Sequence, residues 1–406
     1  MHLPKRPRHE RAISVNARVA RNINRALILN TIRERQPISR AQIAEITNLN
    51  KSTVSSIVET LHAEEIIAQE AAKGRAVGRN PINLRLRTGR HYVGALSFDS
   101  AATQAAIVDL DGSIKYSVEL PTIPNPPDAF IARCVEELAT LRKRHHLPHF
   151  RGIGVTVAGI VDSFHSKVVF APNLGWDGVD IGAFIRKYAP EVGTIVVEND
   201  AKASALAELW FGRHDINLSN FVFLSVGRGI GTGIVIDRRV INGESHAAGE
   251  FGHTTLIEGG EPCACGNLGC WEAYASDRAT AKRYADARGI TADVAAGLTI
   301  RDIIAAARAG EVLAREHLVT TGRYLGIGIA NIIKAVDPDA IVIGGKITEA
   351  WEYIFPAITD ILGRRAYFGK QRNTAILPTS LHARPSLLGA AALPIRQFFT
   401  DLRVTV

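Results

Sequence analysis

The stretch that decides the fold of most of this chain is Glu250-Phe251-Gly252-His253, followed after nine residues by Cys263-Ala264-Cys265-Gly266-Asn267-Leu268-Gly269-Cys270-Trp271-Glu272. Three of the four cysteines in 406 residues crowd into eight positions here, a pattern typical of metal binding and not of a disulfide framework. Three thiolates and one imidazole are donors that tetrahedral Zn²⁺ prefers. The pattern therefore predicts a zinc site formed by His253, Cys263, Cys265 and Cys270; the alternative is three reduced thiols beside an unrelated histidine.

The expected zinc is structural, because four protein ligands leave no open position on a tetrahedral ion. Residues 259–269 contain four glycines and Pro262, so little besides the metal is expected to hold this loop.

The same stretch resembles the signature of the ROK family, a group of sugar kinases and sugar-responsive transcriptional regulators. Further segments fit the family frame, namely residues 154–162, 171–176, 198–201, 227–233 and 342–345. The resemblance extends over nearly all of residues 91–400. It implies an α/β fold of the actin-like, hexokinase-like type with two lobes, lobe one spanning about residues 91–200 plus the C-terminal helix and lobe two about residues 201–380.

The resemblance also implies a sugar pocket whose ligand is a monosaccharide or sugar phosphate. The family positions that contact sugar hydroxyls are occupied here by Asn173, Asn199, Asp200, Glu250, His253 and Glu272. Zinc would hold His253 through one ring nitrogen while the other faces the ligand or its surroundings. Any single carboxylate among them could instead cap a helix or lie at the surface.

Hydrophobic patterns from Tyr92 onward agree with an α/β body. A three-stranded meander is predicted over residues 92–98, 104–109 and 114–120. Further strands are predicted at residues 152–158, 194–197, 220–226, 233–236 and 340–343, and helices at about residues 129–145, 201–211 and 313–336.

The excess of positive charge lies entirely at the N-terminus. Residues 1–90 hold 17 Lys/Arg against 7 Glu and no Asp, whereas the remaining residues hold 31 basic and 33 acidic side chains. Binding to phosphates requires Lys and Arg concentrated on one surface. Charge alone leaves open whether this part binds nucleic acid or only increases solubility.

Helix signals favour nucleic-acid binding. They predict a first helix at residues 21–35, a second at residues 40–47 capped by Ser39, and a third capped by Ser52 or Asn50. This is a helix-turn-helix pattern, in which the first residues of the last helix would reach base edges. These residues are Lys51, Ser52, Thr53, Ser55 and Ser56.

A β-hairpin with a basic, glycine-containing tip follows at residues 73–86, and Arg75 and Arg79 are its predicted DNA contacts. We therefore predict a winged helix-turn-helix domain over residues 21–88, preceded by a mobile basic arm at residues 1–20. The alternative is an ordinary three-helix domain with a flexible loop.

Two functions remain, a regulator and a kinase. In kinases of the family Asp200 would be the general base, and an Asp-x-Gly-Gly-Thr hairpin brings backbone amides close to the phosphates. Here the corresponding stretch is Ser97-Phe98-Asp99-Ser100-Ala101 or, with a shift, Asp99-Ser100-Ala101-Ala102-Thr103, and neither has the glycine pair. Arg228 interrupts the glycines at 227 and 229, where it could bind phosphate or fill the nucleotide space.

We accordingly predict a repressor of carbohydrate-utilisation genes that is released by sugar, with no enzymatic activity and with Asp200 as a vestigial base. The opposite sign of response stays open. The alternative is an ATP-dependent ROK-type sugar kinase with an attached DNA-binding domain. A structural zinc protein that binds only a protein partner is a third reading, but it leaves the Asn-Asp and Glu-Phe-Gly-His groups without a role.

Helix-turn-helix proteins usually bind DNA as dimers, so we expect a homodimer or higher homo-oligomer on a partly palindromic operator. The sequence lacks a run of about 18 apolar residues and an apolar N-terminal signal, so it predicts a cytoplasmic protein without a membrane span.

Overall fold

The computed structural model describes residues 17–71, 82–216, 218–290, 297–365, 374–382 and 384–400. The chain divides into two compact units, residues 1–91 with 396–406 (unit 1) and residues 92–395 (unit 2). Within the described ranges every helix is too short or too polar to span a lipid bilayer.

The described elements of unit 1 before β4 are α1 (Ala17–Arg35), β1 (Ile38–Ser39), α2 (Arg40–Thr47), α3 (Lys51–Ala63), β2 (Ile67–Ala71) and β3 (Ile82–Leu86). The three strands form one sheet in the order β1-β3-β2. Helix α1 starts four residues before the expected position, and residues 1–16 of the predicted arm lie outside the described residues.

The turn between α2 and α3 forms as the sequence predicts. The Ser39 side chain accepts a hydrogen bond from the Gln42 amide, and the Gln42 side chain accepts one from the Ser39 amide, which together make a capping box. Asn48 has a left-handed backbone that ends α2. Asn50 occupies the N-cap position of α3, although its side chain makes no capping bond.

The core of unit 1 consists of aliphatic side chains at helical spacing, among them the fully buried Ile32, Ile43, Val58 and Leu61. Strands β2 and β3 pair antiparallel, with Ile67 opposite Leu86. The second strand of the predicted hairpin is thus confirmed, whereas the first strand lies at residues 67–71, before the predicted start at residue 73. The tip of the hairpin, with Arg75 and Arg79, lies outside the described residues.

A turn from the far end of the chain completes this core. Phe399 is 1% exposed, its carbonyl accepts a hydrogen bond of 3.2 Å from the Asn30 side chain, and the Arg33 guanidinium lies 6.0 Å from its ring centre. Residues 396–400 are therefore part of unit 1, although they are distant from its helices in sequence.

Unit 2 contains two five-stranded sheets, with strand orders β11-β7-β4-β5-β6 and β14-β13-β12-β15-β16, and a small antiparallel sheet β10-β9-β8. The first half comprises β4 (His91–Phe98), β5 (Thr103–Asp109), β6 (Ile114–Leu120), α4 (Pro127–Arg144), β7 (His149–Val157), β8 (Ile160–Asp162), β9 (Lys167–Ala171), β10 (Trp176–Val179), α5 (Ile181–Tyr188) and β11 (Thr194–Asn199). The second half comprises α6 (Asp200–Phe211), β12 (Phe221–Val226), β13 (Ile230–Ile236), β14 (Arg239–Val240), α7 (Glu272–Ala275), α8 (Asp277–Ala287), α9 (Ile300–Arg308), α10 (Val312–Val336), β15 (Ala340–Gly344), α11 (Trp351–Arg365), β16 (Ala375–Pro378) and α12 (Pro385–Thr400), of which residues 385–395 belong to unit 2. Short 3₁₀ turns occur at Pro172–Leu174, Phe251–His253 and Lys346–Ala350.

Helix α6 contacts strands of both large sheets and is buried continuously from Ala201 to Glu208. Neighbouring backbones approach this helix closely at glycine residues. A methyl group added at Gly233 would lie 2.6 Å from the Ala201 carbonyl oxygen, and one added at Gly389 would lie 2.6 Å from the Ala203 carbonyl carbon. The Glu208 carboxylate near its C-terminal end is fully buried and accepts hydrogen bonds from Thr379, Ser380 and the His214 ring.

The α/β prediction is confirmed, and the strands and helices predicted for unit 2 form with ends within three residues of the expected ones. The small sheet β8–β10 was not among the predictions. Its strands are three to five residues long and too short to show a clear alternation.

Replacing Phe399 by alanine is expected to destabilise unit 1 by about 3–5 kcal/mol, because a buried aromatic side chain would leave a cavity beside α1. Chemical denaturation followed by circular dichroism, together with hydrogen exchange of the α1 amides, measures the effect. The matched control is Gln397→Ala in the same helical turn, where the side chain is exposed. A loss below about 1 kcal/mol for Phe399→Ala would show that the turn is not part of the core.

Candidate functional site

The predicted zinc ligands meet at one point. The donor atoms of His253, Cys263, Cys265 and Cys270 all lie within 4.8 Å of one another. The Cys263 sulfur is 3.6 Å from His253 Nδ1, and the Cys265 and Cys270 sulfurs are 3.7 Å apart. A tetrahedron with Zn–S bonds of about 2.3 Å and a Zn–N bond of about 2.0–2.1 Å requires S–S edges of about 3.8 Å and S–N edges of about 3.6 Å. The donor set therefore fits this ion.

The backbone of the cysteine loop is shaped by glycine. Gly269 has φ +76°, and a methyl group added there would overlap the carbonyl oxygen of Ile257. The Gly269 carbonyl accepts a hydrogen bond of 2.7 Å from the Leu256 amide, and the Cys263 amide donates one of 2.9 Å to the Asn267 carbonyl. These bonds fold the loop back on itself, so the first and last cysteines meet.

Two carboxylates adjoin the cluster. Nε2 of His253, the ring nitrogen that does not face Cys263, lies 3.9 Å from Glu250 Oε2. Glu272 Oε1 lies 3.7 Å from the Cys263 sulfur, and Glu272 Oε2 accepts a hydrogen bond of 2.8 Å from the Ile230 amide. The cluster thus connects directly to Glu250 and Glu272, two of the predicted sugar contacts.

Asn199 and Asp200 lie where β11 passes into α6. The Asn199 side-chain oxygen accepts hydrogen bonds from the amides of Ala201 and Lys202, and its side-chain nitrogen donates one of 3.0 Å to the Gly159 carbonyl. Because both ends of the amide are bonded within the protein, the observed role of Asn199 is to cap α6 and fix the corner next to Asp200.

The Asp200 carboxyl group is affected by burial and by the charges of two other carboxylates. Burial, aided by the negative charges of Asp99 and Glu250, raises the pKa of its carboxyl to about 6. The charges of Asp99 and Glu250 thus both act on Asp200, although the three residues are distant in sequence. Such a carboxylate favours ligands that offer hydroxyl hydrogens to it.

The predicted sugar contacts differ in whether the structure connects them to one another. Glu250 and Glu272 contact the His253 cluster, and the charge of Glu250 acts on Asp200. Asn173 is exposed in the turn Pro172–Leu174, and its side chain makes no hydrogen bond to any residue that the structure describes.

In each of two further turns, at Asp99 and at Gly227, one backbone amide is bonded within the protein. In the β4–β5 turn the Asp99 side chain accepts a hydrogen bond of 2.8 Å from the Ala101 amide. In the glycine turn the Gly227 amide bonds the Gly229 carbonyl, and the Gly227 carbonyl accepts from the amide of Asp277. Burial raises the pKa of the Asp277 carboxyl, which lies next to this turn, to about 7.

In unit 1, α2 and α3 form the predicted helix-turn-helix. Lys51, Ser52 and Ser56 are exposed, and Thr53 and Ser55 are half-buried. The opposite face of α3 is buried through Val54, Ile57, Val58 and Leu61. The predicted base-contacting residues therefore lie on the side of α3 that faces away from the core.

Sequence reasoning missed Lys202 and Glu198, which are 2% and 6% exposed. Both lie next to the Asn-Asp pair, but charged residues are rarely buried, so the sequence alone favours surface positions for them. The signal that could have found Lys202 is its place within the otherwise small and apolar run from Ala201 to Ala207.

Comparisons with known proteins agree with this arrangement. Residues 95–397 match the ROK family, and residues 21–68 match a winged helix-turn-helix DNA-binding family. The xylose repressor of Bacillus spizizenii is 30% identical over 386 residues, covering 95% of this chain and 98% of the repressor. The glucokinase of Streptomyces coelicolor is 32% identical over 302 residues, covering 71% of this chain and 93% of the kinase.

A solved structure described as a ROK family transcriptional regulator, a homologue of the E. coli MLC protein, superposes with a TM-score of 0.81 at 26% identity, covering 95% of this chain and 98% of that one. The predicted fold class and the predicted resemblance are confirmed. Because the family match covers well over half of its length, the chain belongs to the ROK family and carries a winged helix-turn-helix module in front of the ROK domain.

Proposed function

We propose that this protein is a DNA-binding repressor whose unit 2 binds a monosaccharide or sugar phosphate and whose unit 1 then releases its operator. The observation that carries the proposal is the contact of Glu250 and Glu272 with the His253 cluster, together with Asp200, on which the Glu250 charge acts. The other unit of the chain exposes the first residues of α3. The similarity to a xylose repressor along both units supports the same function.

The sugar site would work through hydroxyl recognition. Asp200 and Glu250 are acceptors, and adjacent hydroxyl groups of a pyranose or furanose would donate to them. Hydroxyl donors would also offset the loss of hydration and the repulsion from Asp99 and Glu250, which together raise the Asp200 pKa. Of the remaining predicted contacts, His253 and Glu272 would border the ligand, Asn199 would position Asp200, and Asn173 would reach the sugar from the rim.

Zinc at His253, Cys263, Cys265 and Cys270 would be structural. When bound, it supplies a rigid anchor for the cysteine loop, and the orientation of His253 follows from coordination through Nδ1. Glu250 and Glu272 would be held through their contacts with His253 and Cys263. The metal would therefore support the sugar site without touching the sugar.

On the DNA, Lys51, Ser52, Thr53, Ser55 and Ser56 would enter the major groove, and Arg75 and Arg79 in the wing would contact phosphates or the minor groove. We propose a homodimer or higher homo-oligomer on a partly palindromic operator, because one helix-turn-helix reads only a half-site. Sugar can change operator affinity only by its differential affinity for two states of the protein, typically about 1–3 kcal/mol.

A sugar kinase is the second candidate function, favoured by the similarity to a glucokinase and by Asp200, whose pKa of about 6 would suit a general base. Against it stand the missing glycine pair after Asp99 and the internal hydrogen bonds of the Ala101 and Gly227 amides. The carboxyl group of Asp277, which lies beside the glycine turn, would further disfavour the binding of a phosphate there.

Asp200→Asn is expected to weaken sugar binding about 10- to 100-fold, since one charged hydrogen-bond partner contributes about 1.5–3 kcal/mol. Operator affinity without sugar should be unchanged. Fluorescence anisotropy with a duplex selected from a randomised pool, titrated with D-xylose, D-glucose, N-acetyl-D-glucosamine and their phosphates, measures both quantities. Asp177→Asn, at an exposed carboxylate in β10, is the matched control. An Asp200→Asn protein that responds to sugar like the wild type would remove Asp200 from the site.

Cys263→Ala is expected to lose the zinc and, with it, sugar-induced release of DNA. The wild type and a Cys134→Ala control should each carry one zinc per chain, because Cys134 is buried in α4 away from the cluster. Elemental analysis after dialysis against a chelator provides the measurement. Stoichiometric zinc in the Cys263→Ala protein would contradict the assignment.

Incubation with ATP, Mg²⁺ and the same sugars is expected to yield no sugar phosphate at the turnover rates of about 1–100 s⁻¹ that are typical of kinases. A coupled assay for ADP provides the measurement, with an active ROK glucokinase as positive control. Turnover in that range, abolished by Asp200→Asn, would establish the kinase function instead.

A further inference from the structure

A buried lysine, Lys202, lies in the first turn of α6, two residues after Asp200. Lys202 is 2% exposed, and its ammonium donates hydrogen bonds of 2.7 Å to the His246 carbonyl and 3.4 Å to the Asn242 carbonyl. An ammonium group removed from water is costly unless it is bonded and balanced by charge. Burial lowers the pKa of Lys202, while the negative charges of Glu198 and Glu250 oppose that shift.

Glu198 is a second buried charged residue near the start of α6. It is 6% exposed, and its Oε1 accepts a hydrogen bond of 2.8 Å from the Asn199 amide. Burial raises the pKa of Glu198, while the Asn199 hydrogen bond and the positive charge of Lys202 oppose that shift. Glu198 thus places a negative charge at the corner that carries Asp200, where it balances the Lys202 ammonium.

The two carbonyls bound by Lys202 belong to residues 241–249, the loop that leads from β14 to Glu250. Gly243, His246 and Gly249 in this loop have positive φ angles. Several of its own hydrogen bonds are internal, such as the 3.2 Å bond from the Ala248 amide to the Asn242 carbonyl. Its bonds to the rest of unit 2 include one from the Thr232 hydroxyl to the Gly249 carbonyl and those from Lys202. Lys202 therefore joins α6, which begins with Asp200, to the loop that ends at Glu250.

We propose that Lys202, balanced by Glu198, is a positioning residue that sets the separation of Asp200 and Glu250 in the sugar site. The inference rests on the proposed sugar-binding function. Asp200 and Glu250 repel each other, so without a cation bound to the loop the carboxylate of Glu250 would move away from Asp200. Lys202 itself does not contact the sugar.

The test is Lys202→Met in the full-length, zinc-loaded protein, since methionine keeps most of the volume and removes the charge and the donors. We expect hydrogen exchange of the amides at residues 242–250 to rise at least 10-fold. Affinity for the best-bound sugar among D-xylose, D-glucose and N-acetyl-D-glucosamine should fall about 10- to 100-fold, the loss typical for residues that orient binding groups. Saturating sugar should restore part of the loop protection, which a merely structural role would not produce.

Several controls separate the possible outcomes. Lys334→Met, at an exposed lysine in α10, should change none of these quantities. Operator affinity without sugar and zinc content should stay within 2-fold of the wild type for both variants. Unchanged loop exchange or unchanged sugar affinity in Lys202→Met would overturn the inference. A wild type that binds no sugar would overturn the proposed function, while loop exchange would still report whether Lys202 holds the loop.

If Lys202→Met does not fold, Glu198→Gln serves as the second variant. It keeps a side chain of the same size with hydrogen-bonding groups and removes only the balancing charge. The inference then requires a rise in loop exchange and a loss of sugar affinity in the same direction. A Glu198→Gln protein with wild-type values for both would overturn it.

Discussion

The close packing of helix α6 is the constraint on which the rest of unit 2 depends. The helix is buried from Ala201 to Glu208, and glycines at 231, 233 and 389 let neighbouring backbones approach its alanines. A helix covered on all sides cannot shift without moving both large sheets. Its first turn carries Asp200 and its last turns carry Glu208, so the site at one end and the Thr379–Ser380 segment at the other are fixed to one rigid element.

The two buried charged residues of this helix, Lys202 and Glu208, both form hydrogen bonds to segments outside the helix. Lys202 bonds backbone carbonyls of the loop before Glu250, and Glu208 receives hydrogen bonds from His214, Thr379 and Ser380. Each charge is satisfied by hydrogen bonds, because an unpaired charge inside the protein would cost several kcal/mol. Apart from His214, the bonded groups come from segments distant in sequence, so these two residues connect α6 to other parts of unit 2. The cysteine cluster would do the same for residues 259–269 through a metal.

The ROK framework occurs in both regulators and kinases, and this chain is similar to proteins of both kinds. In this chain a winged helix-turn-helix module precedes the ROK domain, and the first residues of its helix α3 are exposed or half-buried. In the turns at Asp99 and at Gly227, the amides of Ala101 and Gly227 are bonded within the protein.

The amino-acid sequence by itself determined the element order, the helix-turn-helix with its Ser39 cap, and the four residues of the cysteine cluster. These follow from local signals: hydrophobic periodicity, capping chemistry and ligand spacing. Only the tertiary structure decided that Phe399 completes the core of unit 1 and that the Asn199 side chain caps α6. It also decided that Lys202 and Glu198 are buried. Those outcomes depend on contacts between segments far apart in the chain, and a charged residue inside a helix carries no local sign of which carbonyl it will meet.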